Sequence, residues 1–434
     1  MYIYIKKKEE REMGIIKLHF LSILLILSTL LLLLVNARTS NTKHSDIESF
    51  QFPISKVSKE GYGTLLTTDT IYGGQNGPVS SYRNISGNFF GMITPIRIGN
   101  TEINVLIDTG SSYLIIPKQG CQSCSLNKPF YEPSQYSTPI HCASNDCKSI
   151  SRINDPCNMG QNNDRCYSPF AYSDGTKYIA EVTQDVLNVG NRAIKVIVGG
   201  IISDYGAKIQ NMRFGIMGIG RSCPTCPPNL IDSISRSTGI SNVFGLKLEN
   251  NYNGIFTVGK PVVNAGETFS FTPINETIYR EYVVNIDSIS FDAFPINTFS
   301  SSKPVQLQSN INPTILDSGT GISYFTTEIY YSIVQMVSLY CSKSPTECSG
   351  LINNCFVFKN PLFVQRLPVL NILFSGGARL SVPPEIYTAK IQSNIHCTSF
   401  IRSPNHENLI GLSFMKNNYV LFDNENNQIG FLNK

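Results

Sequence analysis

From Phe89 to the C-terminus, short apolar runs rich in β-branched residues alternate with Gly, Asn, Asp and Pro turn signals. Strands are bounded in this way, whereas long helices need sustained 3.6-residue periodicity. That periodicity is scarce, and its best stretches are residues 230–237 and 327–340. The pattern therefore predicts an all-β architecture. Ahead of it, residues 38–87 are rich in Ser, Thr, Gly and Asn and poor in apolar side chains. They read as a propeptide or linker holding one short edge strand at 52–56. Earlier still, Lys6, Lys7, Lys8, Arg11 and Lys17 precede an apolar and hydroxyl run at 20–35 that exits through Val35-Asn36-Ala37. Basic, apolar, then small is the order of a signal peptide, with cleavage expected after Ala37. The run is just short of the roughly 17 residues of a membrane span, so an uncleaved anchor is the rival reading.

The chain also echoes itself. Asn104-Val105-Leu106-Ile107-Asp108-Thr109-Gly110-Ser111 returns as Thr314-Ile315-Leu316-Asp317-Ser318-Gly319-Thr320, with its aspartate 209 residues on. A second apolar patch follows each, Leu114-Ile115-Ile116 and Tyr324-Phe325. Further on, Ile216-Met217-Gly218 is matched by Leu409-Ile410-Gly411. The period is too long for a solenoid. It predicts two lobes of like fold, at 88–270 and 271–434, whose loops face each other.

One Asp-hydroxyl-Gly-hydroxyl loop is ordinary turn chemistry. A matched pair, each fed by an apolar strand, is different, because buried strands seldom end in an aspartate without a partner. Two facing carboxyls share one proton, so their apparent pKa values split. The ionised member can take a proton from water while the protonated one polarises a carbonyl. Gly110 and Gly319 leave room for close approach. Ser111 and Thr320 are placed to donate to the outer carboxylate oxygens, and Thr109 and Ser318 to bond the backbone of the opposite loop. No metal or other cofactor is required.

Composition narrows the class. A chain of 434 residues suggests two or three domains, and a 41% hydrophobic fraction excludes wholesale disorder. Charged residues make up only 15% and the net charge is +4, which excludes a nucleic-acid binder. All 12 cysteines follow Ala37, and an even count in an oxidising lumen reads as disulfides. Zinc at the Cys-x2-Cys pairs Cys121/Cys124 and Cys223/Cys226 is the weaker reading, and no metal site is expected. His141 and His396 are expected to be loop residues. None of the five histidines sits in a recognisable nucleophile context. Asn84 and Asn275 head glycosylation sequons.

These residues resemble the pepsin-like aspartic endopeptidases from about Phe89 to Lys434. Asp108–Ser112 and Asp317–Thr320 match the family's two catalytic loops, and Met217-Gly218 and Ile410-Gly411 match the strands behind them. Tyr172-Ser173-Asp174-Gly175 resembles the flap hairpin whose tyrosine closes over substrate. Val382-Pro383-Pro384 and the stretch from Phe422-Asp423 to Ile429-Gly430-Phe431 match late segments of the second lobe. The cysteine-rich insertion between Asp108 and Tyr172 is similar to that of the nepenthesin-type branch. A nested pairing is expected there, Cys142–Cys166 around Cys147–Cys157, with Cys121–Cys124 local. The resemblance further implies Cys355–Cys397 as a long bridge, with Cys341–Cys348 and Cys223–Cys226 local. It implies a bilobal endopeptidase, monomeric, that takes extended peptides at acidic pH in a secreted, lysosomal or vacuolar setting, with membrane contact only if the leader is uncleaved. Lys56 and Lys59 are the candidates for a propeptide lysine reaching the two aspartates. The tryptophan common after the first loop is Ile115 here, since the chain has none. The alternative is a pepsin-fold inhibitor or receptor that has lost catalysis. Both aspartates, both glycines and all the supporting hydroxyls are present, which argues against it.

Overall fold

Alternation sets the strands. In Thr101–Asp108 the side chains of Ile103, Val105 and Ile107 point into the core while Glu102 and Asn104 face out. This period of two is what a sheet covered on one face requires. The computed structural model describes residues 49–57 and 91–433, apart from 122–123, 125–128, 154, 160–163, 173–174, 205–213, 250–252, 279, 293–312, 353, 393 and 406. The expected leader, Lys59, Asn84, Ser173 and Asp174 lie outside the described residues.

Among the described residues the strands form three sheets. The largest begins with Thr268–Pro273 and the C-terminal strands Gln428–Asn433 and Tyr419–Asp423. It continues through Val243–Leu248, Gly254–Gly259, Ser49–Val57, Gly91–Ile98 and Thr101–Asp108. The long hairpin Lys177–Val189 and Arg192–Asp204 lies towards its far side. A second sheet is built around Val283–Phe291 and Pro313–Leu316, and a third holds Cys355–Phe358 and Ile395–Thr398. Phe244 and Phe422 stack at 4.6 Å in a core that draws on both halves of the chain.

The internal echo is an echo of topology. Thr101–Asp108 runs parallel to Gly215–Gly218, and Leu114–Pro117 runs antiparallel to that same strand. Pro313–Leu316 likewise runs parallel to Asn408–Ile410, which pairs antiparallel with Ser323–Phe325. Leu114–Pro117 and Ser323–Phe325 each take a further parallel neighbour, Arg192–Asp204 and Phe400–Arg402. The two helices sit where periodicity put them. Leu230–Thr238 starts with a capping box between Asn229 and Asp232 and stops at Gly239, whose φ of 75° suits a glycine C-cap. Thr327–Lys343 buries Ile329, Ile333, Val334 and Val337 on one face.

Three expectations need correction. The 52–56 segment is no edge strand. Ser49–Val57 pairs with Gly254–Gly259 through its first six residues and with Gly91–Ile98 through its last three. Pro53 is tolerated in this interior strand, with Ile54 buried beside it. The nested disulfides are instead interleaved, Cys142–Cys157 and Cys147–Cys166. The cause is the short helix Asn145–Ser151, capped by Ser144, which turns Cys147 and Ile150 inward to meet Cys166 in an apolar cluster. Cys142 is left to the turn that carries Cys157. His396 is no loop residue either. It is buried in the strand Ile395–Thr398 against Phe358, and its ring nitrogens have no partner among the described residues. The other four bridges pair as expected.

The interior strand carries a prediction. Removing Ser49–Val57 would strip the ladder from both neighbours and expose Ile54. N-terminal sequencing of the mature protein is expected to give a start upstream of Ser49. A mature start downstream of Val57 would show that the strand is dispensable.

Candidate active site

Asp108 ends its strand, and Asp317 directly follows Pro313–Leu316. Backbone bonds fix both positions from behind. Ile219 N–H donates to the Asp108 carbonyl at 2.8 Å, and Asp317 N–H donates to the Ile410 carbonyl at 3.0 Å. Gly218 and Gly411 permit this packing, because a Cβ on either would collide with the backbone of the loop it supports.

The two loops then grip each other. Thr109 N–H donates to Ser318 Oγ at 3.0 Å, and Ser318 N–H to Thr109 Oγ1 at 2.8 Å. In return, Thr109 Oγ1 donates to the Leu316 carbonyl at 2.9 Å, and Ser318 Oγ to the Ile107 carbonyl at 2.8 Å. Both hydroxyls are fully buried, so each of the four bonds is worth about 1 kcal/mol made, and more if one partner is lost.

The grip sets the carboxyls face to face. Each accepts from its own loop: Asp108 from Gly110 N–H at 2.9 Å and from Ser111 Oγ, Asp317 from Gly319 N–H at 2.7 Å and from Thr320 Oγ1. A Cβ on Gly110 would stand 2.7 Å from Asp317 Oδ1, and one on Gly319 would overlap Asp108 Oδ1. Asp108 is 6% exposed and Asp317 half-buried. Burial, and then the charge of Asp317, raise the Asp108 pKa to about 7. Burial also raises that of Asp317, against the pull of its bonds from Thr320 and Gly319. The pair is thus set to hold one proton in acid and to lose it towards neutrality.

The hairpin Tyr167–Ala171 and Lys177–Val189 carries Tyr172 and Gly175 at its tip. Tyr172 N–H donates to the Thr176 carbonyl at 2.9 Å, and Gly175 takes a φ of 88°. Tyr172 is half-buried and edge-on to Tyr178 at 6.0 Å. Beneath it Tyr113, Ile115, Phe170 and Ile216 form the cluster that also receives the Cys147–Cys166 bridge. Ile115 therefore fills apolar space within that cluster. The Asn275 side-chain oxygen accepts from Thr277 Oγ1 at 2.7 Å. His141 Nδ1 accepts from Ala143 N–H, and no cluster of three metal-ligating side chains occurs among the described residues.

Three residues at the site were not anticipated. Tyr282 donates its hydroxyl to the Ile219 carbonyl at 3.1 Å, and its carbonyl accepts from Leu316 N–H at 2.9 Å, so it touches the support of both loops. Arg221 donates to the carbonyls of Asn275 and Ile278 at 3.2 and 3.1 Å. Arg280 bonds the cysteine-rich insertion. Arg221 had one visible signal, its place directly after Met217-Gly218-Ile219-Gly220. The other two had none.

Comparison with known proteins agrees with this geometry. The family model described as eukaryotic aspartyl protease matches residues 91–434. The chain is similar to aspartic proteinase nepenthesin-1 of Nepenthes gracilis, 22% identical over 399 residues, covering 89% of this chain and 86% of that one. It is similar to two Arabidopsis thaliana proteins as well. Aspartic proteinase 36 is 23% identical (78% and 72% covered) and aspartic proteinase 39 is 25% identical (78% and 73% covered).

Proposed function

The chain belongs to the eukaryotic aspartyl protease family and is an aspartic-type endopeptidase, and we propose that Asp108 and Asp317 jointly activate the water that attacks the scissile amide. The reciprocal grip, which sets the two carboxyls face to face, carries this reading. With one proton between them, the ionised carboxylate takes a proton from water while the protonated one donates to the substrate carbonyl oxygen. On collapse of the tetrahedral intermediate, the carboxyl that took water's proton passes it to the departing amine, the other recovers its proton from a hydroxyl of the intermediate, and the pair returns to its starting state. Ser111 and Thr320, with the Gly110 and Gly319 amides, hold the carboxyl planes during this cycle. Reorganisation in the transition state is therefore small.

The substrate is an extended peptide lying between the two aspartate loops and the hairpin of Tyr172. Gly175 supplies backbone at the hairpin tip, and closure over the peptide excludes water. The working place is the lumen of the secretory pathway or a compartment fed by it, extracellular, lysosomal or vacuolar. Six disulfides and the sequons at Asn84 and Asn275 support that setting. The enzyme acts as a monomer. Among the described residues no helix is long and apolar enough to cross a membrane. No observation favours a non-catalytic binder.

The pH profile tests the mechanism. Haemoglobin hydrolysis should be fastest in acid, fall at the lowest pH as both carboxyls protonate, and vanish as pH rises through the upper apparent pKa near 7. A statine-containing peptide, which imitates the tetrahedral intermediate, should inhibit tightly over the same range. Full activity above pH 8, or indifference to statine, would overturn the shared-proton reading.

A further inference from the structure

Arg280 adopts a φ of 77°, a left-handed conformation that disfavours a long side chain and suits glycine. Such a residue persists where its surroundings over-determine it. Here they do. Its guanidinium donates through Nη2 to the Ser149 carbonyl at 3.1 Å and to Cys226 Sγ at 3.4 Å. Ser149 lies in the helix Asn145–Ser151 of the cysteine-rich insertion, and its hydroxyl donates to the Thr225 carbonyl at 3.0 Å, inside the Cys223–Cys226 loop. Helix, disulfide loop and arginine thus meet at one junction.

The backbone of Arg280 points the other way, to the dyad. Its carbonyl packs so closely on Gly220 that no Cβ fits there. Gly220 N–H in turn donates to the Ser111 carbonyl at 2.6 Å. Two residues on, Tyr282 bonds the Ile219 carbonyl with its hydroxyl and accepts from Leu316, the residue before Asp317. Segment 280–282 therefore braces the support of Asp108 and that of Asp317 at once. The Arg280 side chain ties this brace to the insertion.

We propose that Arg280 is a positioning residue for the catalytic pair: anchored on Ser149 and Cys226, it holds segment 280–282 against both aspartate loops and so fixes the separation of the two carboxyls. The insertion acts as the anchor. This inference rests on the reading of Asp108 and Asp317 as the working pair.

Arg280→Gly separates side chain from backbone, because glycine accepts the left-handed φ without strain while the anchor is lost. The expected result is a kcat on a peptide substrate lowered by about tenfold or more, with KM within about twofold of wild type, because the loss falls on positioning. The basic limb of the kcat–pH profile should also move to lower pH, since carboxyls held further apart repel less. Arg280→Lys, which keeps the charge without the planar fork, should lie between. It also replaces Arg280→Gly if circular dichroism shows the glycine variant unfolded.

Wild-type kcat and an unmoved basic limb in the folded variant would overturn the proposal. So would a fall in kcat with the limb unmoved, because a merely structural role gives that result. Asp108→Asn is measured in parallel. Turnover retained there sinks the working-pair reading and this inference with it. Turnover lost there, beside an unmoved Arg280→Gly profile, sinks this inference alone.

Discussion

Asp108→Asn is expected to lower kcat on haemoglobin or casein at acidic pH by about 10³-fold or more, with KM little changed. The amide fits the carboxylate's place. Its oxygen accepts from Gly110 N–H, and its nitrogen donates to Ser111 Oγ, whose hydroxyl rotates to suit. What is lost is proton exchange. An amide neither accepts water's proton nor shares one with Asp317, so the variant binds peptide and does not turn it over. Asp317→Asn should behave alike, given Gly319 and Thr320 in the equivalent places.

Stability supplies an independent readout on the same variant. The folded pKa of Asp108 is raised above its ordinary value of 3.8, so the folded state holds this proton more tightly than the unfolded chain. The resulting stabilisation is fully present below pH 3.8 and is lost as pH rises through about 7. Asn does not titrate, so the variant's thermal midpoint should fall less than the wild type's between pH 4 and about 8. Far-UV circular dichroism is the probe, the chain having no tryptophan. Turnover within tenfold of wild type would remove Asp108 from the mechanism.

The paired loops were legible because they are local and repeated. Asp108-Thr109-Gly110-Ser111 and Asp317-Ser318-Gly319-Thr320 each bond largely within themselves or to their twin, so four residue types in order carry most of the geometry. The strands behind them were legible for the same reason, as Met217-Gly218 and Ile410-Gly411 repeat. Sequence reading failed where a position depends on a distant element. The interleaving of Cys142–Cys157 and Cys147–Cys166 follows from which face of a seven-residue helix meets the cluster under the hairpin. The helix's length gave too weak a periodicity to show that face. The 52–56 segment read as an edge strand because it lies in a linker-like stretch and holds Pro53, which brings no ladder donor. Ser49–Val57 stands between two strands in the sheet order because Gly254–Gly259 pairs with its first six residues and Gly91–Ile98 with its last three. Tyr282 reaches the support of Asp108 through its hydroxyl and Arg280 through its carbonyl, and neither contact belongs to a motif that repeats along the chain.

Gly319→Ala is expected to leave the protein folded and remove nearly all activity. The φ of Gly319 is not in the left-handed region, so its backbone does not require glycine. In an ordinary position the change would stabilise by about 0.4–1 kcal/mol through the unfolded chain. At Gly319, however, the new methyl would overlap Asp108 Oδ1 and stand 2.8 Å from Asp108 Cγ and 3.1 Å from Asp317 Oδ1. Something must move, and the grip decides what. Shifting the loop would break four buried bonds between Thr109, Ser318 and the carbonyls of Ile107 and Leu316. Rotating the Asp108 carboxyl gives up its bonds from Gly110 and Ser111 and its contact with Asp317, and water can replace these at the cleft. The cheaper response is therefore the one that spoils the pair. Overpacking of this kind costs about 1–3 kcal/mol of stability, too little to unfold a chain held by six disulfides. The displaced carboxyl should lower kcat about 10²-fold or more, and statine affinity should fall with it. Gly110→Ala tests the other side of the same contact, with its methyl against all three terminal atoms of the Asp317 carboxyl. If either variant hydrolysed haemoglobin at wild-type rate, Asp108 and Asp317 could not lie as close as a shared proton demands.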